Sequence, residues 1–220
     1  MNVIGIICEY NPFHNGHLYH LNKIKELFPD SLIVLVLNGY FLERGEISII
    51  SKEDKAKIAL KAGIDLVVEL PFVFGTQSAD IFASISIKIL ENLKCEYIIF
   101  GSECDDINIL NSICDYMINN KKEYNQKVKE YLNSGCNYPT ALAKSTNFDF
   151  DFNSNDLLGI SYIKAIKLNN YSIKPLTIKR TNNYLDTKSN ESIISASNIR
   201  NKLLDNIDIK KYVPKYISLL

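Results

Sequence analysis

Short apolar runs of strand length alternate along this chain with longer segments whose apolar residues recur at helical spacing. The runs are rich in β-branched residues and nearly continuous, which is typical of parallel strands covered on both faces. They span Val3–Cys8, Leu32–Leu37, Leu66–Leu70, Tyr97–Phe100 and Leu176–Ile178. Strands that alternate with helices predict right-handed βαβ units. We therefore expect an α/β fold with a Rossmann-like, doubly wound parallel sheet of about five strands.

The segments between the runs predict helices and set the expected organisation of the chain. Ser51 and Asp54 form a capping pattern for a helix that should end at Gly63. Other helices are predicted over Leu18–Leu27, Ser78–Leu93, 107–118 and 122–132. Residues 134–156 predict a loop or a small insertion, since they contain Gly135 and Pro139. We expect a core over residues 1–180, with a helical insertion at about 105–156, and a C-terminal segment over 181–220.

Length and composition limit the class of protein. A chain of 220 residues, 46% of them hydrophobic, can form one large domain, with or without a small appendage. It has no long apolar run, so we expect no membrane-spanning helix, and its first residues predict no secretory signal. Its five cysteines are widely spaced and include no C-x-x-C pair. This pattern indicates reduced thiols in a cytoplasmic protein.

Charge is unevenly distributed, although the net charge is zero. Residues 160–220 hold 11 Lys and Arg against 4 Asp and Glu, whereas residues 1–159 hold 14 against 21. The basic last part of the chain could face an anion such as ATP or RNA. An ordinary solvated basic surface explains the same pattern, and both interpretations stay open.

All three histidines of the chain, His14, His17 and His20, stand within seven residues, directly after the first predicted strand. A tight turn containing Gly16 then leads into a helix, whose first turn offers unpaired backbone N–H groups and a positive dipole end to a phosphate chain. Gly16 would let backbone and phosphate approach closely. The imidazoles of His14 and His17 could donate hydrogen bonds to charge that develops on an α-phosphate during adenylyl transfer.

Other interpretations of this motif are ordinary ones. A histidine near a helix start often caps the helix, and His20 could simply line the same helix face as His17. A metal site built from Cys8 or Glu9 with the histidines lacks a second ligand pair at finger-like spacing, so we expect no metal site. The chain has no G-x-x-x-x-G-K-[ST] and no G-x-G-x-x-G. A Walker-type ATP site is therefore excluded, and a dinucleotide oxidoreductase is not expected.

A second motif, Ser-x-Ser-x-x-Arg, runs from Ser195 to Arg200. At the start of a helix it would place two hydroxyls and free N–H groups beside an arginine one turn further on, where they could hold the leaving pyrophosphate. A serine at a helix start is also an ordinary cap. Together with His-x-Gly-His after the first strand, this motif resembles the two signatures of the HIGH-type nucleotidyltransferase superfamily. The resemblance implies the fold of that superfamily.

More narrowly, the chain resembles the tRNA(Met) cytidine acetate ligase family. The matching runs are Glu9–His17, Gly39–Glu46, Gly63–Pro71, Gln77–Asp80, Phe100–Glu103, Asn155–Tyr162 and Ser195–Arg200. The resemblance implies that acetate and ATP form acetyl-adenylate and pyrophosphate. It also implies that the acetyl group then passes to N4 of the wobble cytidine of elongator tRNA(Met), so acetate and this tRNA are the expected partners.

The resemblance also implies a set of site residues. The expected catalytic residues are His14, His17 and Arg200. Further ATP contacts map onto Gly101, Asn155 and Arg180. An asparagine that only caps a helix would look the same in sequence as Asn155. The expected ATP-binding segment comprises Ile7, Cys8, Glu9, Tyr10, Asn11, Pro12, Phe13, His14, Asn15, Gly16, His17, Leu18, Tyr19 and His20. Mg²⁺ is expected as the counter-ion of ATP; the acidic candidates Asp65, Glu69, Glu103 and Asp156 are each more typical of structural roles.

The chain departs from the family pattern in three ways. Glu43 stands beside Arg44 where a neutral Gln is expected, and Ser154 replaces an expected Pro. Family members are also much longer, so we expect that the family's further C-terminal part, which would help to bind tRNA, is absent. Two other functions therefore stay open. One is a small-molecule adenylyltransferase of the pantetheine-phosphate or nicotinamide-mononucleotide type, and the other is a truncated, non-catalytic module that binds ATP or RNA.

Overall fold

A single parallel sheet organises the protein, whose computed structural model describes residues 1–150, 152–180 and 191–215. The strands are Val3–Cys8 (β1), Leu32–Asn38 (β2), Leu66–Leu70 (β3), Tyr97–Ser102 (β4) and Lys174–Lys179 (β5). Their order is β3-β2-β1-β4-β5, and every neighbouring pair is parallel. The expected α/β fold with five strands is confirmed. The strand order reverses between β1 and β4, and open α/β sheets bind their ligands at such a switch point.

Helices cover both faces of this sheet. They are Asn15–Leu27 (α1), Lys52–Lys61 (α2), Phe72–Gly75 (α3), Ala79–Asn92 (α4), Ile107–Asn119 (α5), Lys121–Asn133 (α6), Tyr138–Lys144 (α7), Ser154–Asn169 (α8) and Ala196–Leu204 (α9). Apolar residues of α1, α2 and α9 share one buried cluster, and those of α4, α5 and α8 share the other. The sheet is therefore doubly wound, as expected.

Alternation along the strands divides the core between these two faces. In β2, Ile33 and Leu35 belong to the cluster under α1, whereas Val34 and Val36 belong to the cluster under α4. Period-two side-chain direction and continuous apolarity together explain this pattern. At Gly5 of β1, a Cβ atom would lie 2.6 Å from the Cδ1 atom of Leu90, so glycine lets α4 pack closely on the centre of the sheet.

Several predicted element ends are confirmed. Ser51 caps α2 by accepting a hydrogen bond from the Asp54 N–H at 3.1 Å, and this helix ends just before Gly63, whose φ is +92°. The last two strands are longer than predicted. The register pairs Gly101 with Ile178 and Ser102 with Lys179. Backbone hydrogen bonds between the two strands therefore extend both of them beyond their apolar runs.

The sequence predicts a loop or a small insertion over residues 134–156, and the loop alternative is wrong over two stretches, because α7 lies within it and α8 begins at Ser154. Asn137 caps α7 by accepting from the Thr140 N–H at 2.9 Å. Pro139 lies in the first turn of α7, where a missing N–H costs nothing. The proline that predicted a loop therefore belongs to a helix start.

Parts of the predicted C-terminal segment, residues 181–190 and 216–220, lie outside the described residues. The division at residue 180 stays a prediction. Among the residues that the structure describes, no helix is both long and apolar enough to cross a bilayer.

Candidate active site

The turn after β1 is fixed by a histidine that caps α1. His14 is the N-cap residue, with φ −143°, and its Nδ1 accepts a hydrogen bond from the Gly16 N–H at 3.0 Å. The His14 backbone N–H in turn donates to Nδ1 of His17 at 3.2 Å. This reciprocal pair is a capping box built from two imidazoles. The helix consequently begins at Asn15, three residues before the predicted start at Leu18.

Both capping imidazoles are neutral. Removal from water, and then the nearby Arg180 charge, lower the pKa of His14 to about 3. The same loss of hydration, followed by repulsion from a proton on His14 and from the Arg180 charge, holds the pKa of His17 well below its ordinary value. Because Nδ1 of each ring accepts a hydrogen bond, the single proton of each neutral ring is assigned to Nε2. The rings are stacked with centroids 3.9 Å apart, so they form a paired set of fixed donors.

Gly16 is required by the His14 ring itself. A Cβ atom at this position would lie 2.8 Å from Cε1 and 2.9 Å from Nδ1 of His14. Sequence reasoning explained this glycine by the approach of a phosphate to the backbone. The structure gives a different reason, which is that any side chain here would displace the capping ring.

His20 lies further along α1 and faces the same cavity as His17. Loss of hydration and the Arg180 charge lower its pKa to about 4. Its Nε2 atom is buried and has no hydrogen-bond partner among the residues described. Buried polar atoms are nearly always paired in a native protein. This nitrogen is therefore suited to a group of a bound ligand.

The histidines line a cleft of about 520 Å³ where β1, β4 and β5 end. The expected site residues that line the cleft are Ile7, Cys8, Glu9, Tyr10, Asn11, His14, Gly16, His17, Tyr19, His20, Gly101, Asn155, Arg180 and Arg200. The cleft thus brings together residues that are far apart in the sequence.

Four residues of the expected ATP-binding segment do not line this cleft: Pro12, Phe13, Asn15 and Leu18. Phe13 is 1% exposed and belongs to the core under α1. The Asn15 side chain donates to the carbonyl oxygens of Ser192 at 2.9 Å and Lys211 at 3.0 Å. These contacts stabilise the turn and hold it against the C-terminal part of the chain. The geometry therefore supports structural roles for Phe13 and Asn15.

Arg180 carries the positive charge nearest the histidines. Its backbone N–H donates to the Ser102 carbonyl oxygen at 2.9 Å, and its Nε lies 3.6 Å from Oε1 of Glu103. A Cβ atom on Gly101 would lie 3.1 Å from Cγ of Arg180. Glycine at position 101 therefore makes room for the arginine side chain, which crosses the end of β4 to reach the cleft.

Asn155 lies on the cleft wall but does not cap a helix, since the N-cap of α8 is Asn153. Its amide donates to Oε1 of Glu103 at 2.5 Å. The next residue, Asp156, is fully buried and accepts from the Ser102 hydroxyl at 2.5 Å and from the Glu103 N–H at 3.1 Å. Together these bonds hold the loop after β4 against the start of α8.

The acidic residues considered as Mg²⁺ ligands are all engaged elsewhere. Asp65 accepts from the Ile33 N–H at 2.8 Å, and Glu69 pairs with Lys52 at 2.8 Å. Glu103, in the loop after β4, accepts from the Asn155 amide, and Asp156, in the first turn of α8, accepts from the Glu103 N–H. In the described ranges, no group of three His, Cys, Asp or Glu residues could hold a metal ion. The residues present do not fit a protein-held magnesium ion, nor the Cys8 or Glu9 metal site considered from sequence.

The second motif opens α9, as predicted, and joins it to the first. The Ser195 hydroxyl accepts from the Asn198 N–H at 3.1 Å, which is the ordinary capping role. Arg200 donates to the Asn11 carbonyl oxygen and to Oε2 of Glu46, both at 3.0 Å. Its guanidinium group thereby holds α9 against the turn after β1 and against the loop that follows β2.

Sequence reasoning missed Lys55, which is fully buried behind the cleft. Its ammonium group donates to the carbonyl oxygens of Glu9 at 3.1 Å and of Asn38 and Gly39, both at 2.7 Å. Burial lowers its pKa to about 8, although Glu9 and Glu69 act in the opposite direction. Nothing in the charged run around it, Lys52 to Lys57, distinguishes it from a solvated helix surface.

An aromatic wall, also missed as part of the site, closes the cleft on the α4 and α8 side. Phe82, Phe100 and Tyr162 line it, and the last two rings meet edge to face with centroids 5.6 Å apart. A Cβ atom on Gly159 would lie 2.3 Å from Cε2 of Phe100, so glycine is what lets α8 accommodate this ring. In sequence these residues look like ordinary core positions.

Fold and cleft define an α/β protein whose switch-point cavity combines neutral imidazoles, a helix N-terminus and two arginines. The family model described as HIGH Nucleotidyl Transferase matches residues 1–220. A tRNA(Met) cytidine acetate ligase of Fusobacterium nucleatum is 45% identical over 98% of this chain and 56% of its own length. One of Mycoplasma mobile is 44% identical over 96% of this chain and 72% of its own length.

Two solved structures are similar throughout this chain. Thermotoga maritima TmcAL without ligand has a TM-score of 0.87 and 34% identity, over 97% of this chain and 54% of its own. The same protein bound with alpha-thio ATP has a TM-score of 0.84 and 33% identity, over 98% and 54%. The chain therefore belongs to the HIGH nucleotidyl transferase family and, within it, to the tRNA(Met) cytidine acetate ligases. It spans little more than half the length of several of these relatives.

Proposed function

We propose that this chain activates acetate with ATP as acetyl-adenylate, releases pyrophosphate, and passes the acetyl group to N4 of the wobble cytidine of elongator tRNA(Met). The observation that carries the proposal is the stacked pair of neutral imidazoles at the start of α1, in a cleft shared with Arg180 and Arg200. The names of the relatives support the same reaction.

The cleft residues fit a nucleoside triphosphate. The start of α1 contributes a positive dipole end, and Arg180 contributes a full positive charge. The unpartnered Nε2 of His20 offers one more polar contact within the cavity. The similar Thermotoga protein is bound with alpha-thio ATP, which supports ATP as the ligand. We therefore assign ATP to the cleft at the end of β1.

In the first step, a carboxylate oxygen of acetate attacks the α-phosphorus and pyrophosphate leaves. Negative charge grows on the α-phosphate oxygens, and the Nε2–H groups of His14 and His17 are proposed to donate to them. A fixed donor of this kind is worth roughly 10²–10³ in rate. Arg200 is proposed to hold the leaving pyrophosphate. Of its five N–H groups, three are used by Asn11, Glu46 and Ser197, so two remain for the phosphate chain.

We expect Mg²⁺ to accompany ATP as its counter-ion, held by phosphate oxygens and water, because the acidic residues of the cleft region do not fit a cage for it. No step of the proposal depends on a protein-bound metal ion. The free cysteines and a tRNA substrate both support the proposal that the activity is cytoplasmic.

The test measures the two steps separately. With ATP and acetate, hydroxylamine should trap acetyl-hydroxamate, and pyrophosphate release should require acetate. With labelled acetate, mass spectrometry of tRNA(Met) should show one acetyl group at the wobble cytidine. Formation of a stable dinucleotide from phosphopantetheine or nicotinamide mononucleotide, without acetyl-hydroxamate, would show a small-molecule adenylyltransferase instead. Tight ATP binding without any turnover would show a non-catalytic module.

A further inference from the structure

Glutamates and arginines both line the cleft. Glu9 lies at the end of β1, and Glu43 lies in the loop after β2, where Arg44 follows it. A third carboxylate, Glu46, is already paired with Arg200. A carboxylate repels a triphosphate but accepts a hydrogen bond from a neutral N–H group. Glu9 is therefore suited to a reactant group that is not an anion, which in the proposed reaction is the cytosine amino group.

Glu9 is the better fixed of the two glutamates. Its Oε1 accepts the Glu43 backbone N–H at 2.8 Å, and its own carbonyl oxygen accepts from buried Lys55 at 3.1 Å. No described residue donates a hydrogen bond to its second carboxylate oxygen, Oε2. Backbone and side chain are thus held from two sides, while one oxygen stays available to a ligand in the cleft.

The chemistry of the acceptor suits a carboxylate. The N4 amino group of cytosine is a hydrogen-bond donor, and Glu or Asp is the side chain that accepts from it in nucleic-acid recognition. This nitrogen is a weak nucleophile, because its lone pair is delocalised into the ring. Its attack on an acyl group is therefore helped by a base that takes its proton in the transition state.

The loop that carries Glu43 also offers exposed rings. Tyr40 and Phe41 are 45% and 42% exposed, and they precede the part of the loop that lines the cleft. Unstacked bases of single-stranded RNA pack on exposed aromatic side chains of this kind. Both rings line a separate, smaller pocket with Glu69 and Phe72, and the loop that carries them continues to Glu43 of the cleft.

We propose that Glu9 is the catalytic base of acetyl transfer and the residue that accepts a hydrogen bond from the cytosine amino group. The N4 lone pair attacks the acetyl carbon of acetyl-adenylate and forms the C–N bond. The bond between that carbon and the phosphate oxygen breaks, and its electron pair leaves with AMP. One N4 proton moves to Glu9 Oε2. The step needs no other reactant, and the inference rests on the proposed function.

Burial is the main cause that raises the pKa of Glu9, and Glu46 adds to it, whereas the Glu43 N–H and Lys55 act in the opposite direction. A carboxylate with a raised pKa is a stronger base than an ordinary glutamate. This shift agrees with the geometry, which carries the argument.

The test compares Glu9→Gln with the unmodified chain in both steps. Gln keeps the size of the side chain and an oxygen that can accept the Glu43 N–H, so the fold should be retained. We expect the rate of transfer to an RNA hairpin with an unpaired cytidine to fall roughly 10²–10³ more than the rate of acetyl-hydroxamate formation, as for loss of a general base. Equal loss of both steps, or unchanged transfer, would overturn the proposal.

Glu43→Gln is the matched variant, because it removes the same charge from the same cleft. We expect its transfer rate to stay within about threefold, since the proposal assigns the proton to Glu9 alone. A loss as large as that of Glu9→Gln would show a general effect of charge and would contradict a specific base. If the unmodified chain makes no acetyl-adenylate, the proposed function itself fails, and the two failures are therefore distinguishable.

Discussion

Single residues in this site serve the fold and the chemistry together. His14 caps α1, packs its ring on Gly16 and faces the cleft, all in a neutral state. The capping contact fixes which ring nitrogen carries the proton, so a structural bond at Nδ1 sets the donor at Nε2. The cap interpretation and the catalytic hypothesis for this histidine are therefore compatible.

Substitution of His14 can separate these two roles. His14→Ala removes the cap, so the free energy of unfolding should fall by about 1 kcal/mol. It also removes the donor, so the rate of acetyl-adenylate formation should fall roughly 10²–10³-fold. His14→Asn offers an oxygen that caps a helix well but has no Nε2–H at the same reach. We expect urea unfolding to show stability recovered in His14→Asn while acetyl-hydroxamate formation stays low. Recovery of both would contradict the assignment of the donor.

Folding stability should fall in acid because of the partly buried histidines. The pKa of His20 is lowered to about 4 from an ordinary 6.5, so the unfolded chain binds its proton first. The stabilising contribution is complete above pH 6.5 and is lost as the pH falls toward 4. Between pH 7 and pH 4.5, urea unfolding should show His20→Gln losing roughly 2 kcal/mol less than the unmodified protein. Equal losses would show that His20 is hydrated.

At the scale of elements, one residue of α2 holds the backbone after β1 next to the backbone after β2. Lys55 of α2 donates to backbone carbonyl oxygens after both strands, Glu9 on one side and Asn38 and Gly39 on the other. Those carbonyls would otherwise be buried without partners, which is costly. The position of Glu9 thus depends on a buried cation that does not line the cleft.

Replacement of Lys55 should therefore destabilise the protein far more than replacement of a neighbouring lysine. Lys55→Met keeps the buried volume but leaves three carbonyl groups without a donor, at a cost of roughly 2–4 kcal/mol. Lys57→Met, on the same helix and with its side chain 67% exposed, should cost less than about 0.5 kcal/mol. Chemical denaturation measures both. Similar values for the two variants would show that the three hydrogen bonds contribute little.

Sequence patterns predicted the elements well where periodicity and capping agree, as in the five strands and in α2. They failed at α7, where Pro139 suggested a break but lies in a first turn. They also gave no sign of Lys55, because burial of a charged residue depends on carbonyl groups that are distant in the sequence. The reason for Gly16 was likewise hidden, since the ring that excludes a side chain there is placed only by the folded turn.

The whole molecule assembles one cleft from both ends of the chain. The turn after β1 and α9 meet through Arg200 and Asn11, and β4 lies beside β5 so that Arg180 reaches the histidines. Three of the basic residues in the C-terminal quarter, Lys179, Arg180 and Arg200, thus line the cleft. That part of the positive charge is placed for an anion, as one of the two interpretations from sequence suggested.

ATP binding should depend on this assembly. ATP at a concentration of one hundred times its dissociation constant should raise the free energy of unfolding by about 2.7 kcal/mol. Arg180→Met keeps the bulk over Gly101 but removes the charge, so we expect weaker binding and a smaller thermal shift with ATP. Lys174→Met, at the start of β5 and outside the cleft lining, is the comparison. A full ATP shift in Arg180→Met would remove this arginine from the site.

The central claim is that ATP binds where β1 turns into α1, with two neutral imidazoles reaching the atom under attack. A crystal structure of this chain with a non-hydrolysable ATP analogue tests it most directly. The account predicts α-phosphate oxygens within hydrogen-bond distance of Nε2 of His14 and His17, with Arg180 beside the phosphate chain. A nucleotide bound elsewhere, or bound with both rings turned away from its phosphates, would contradict it.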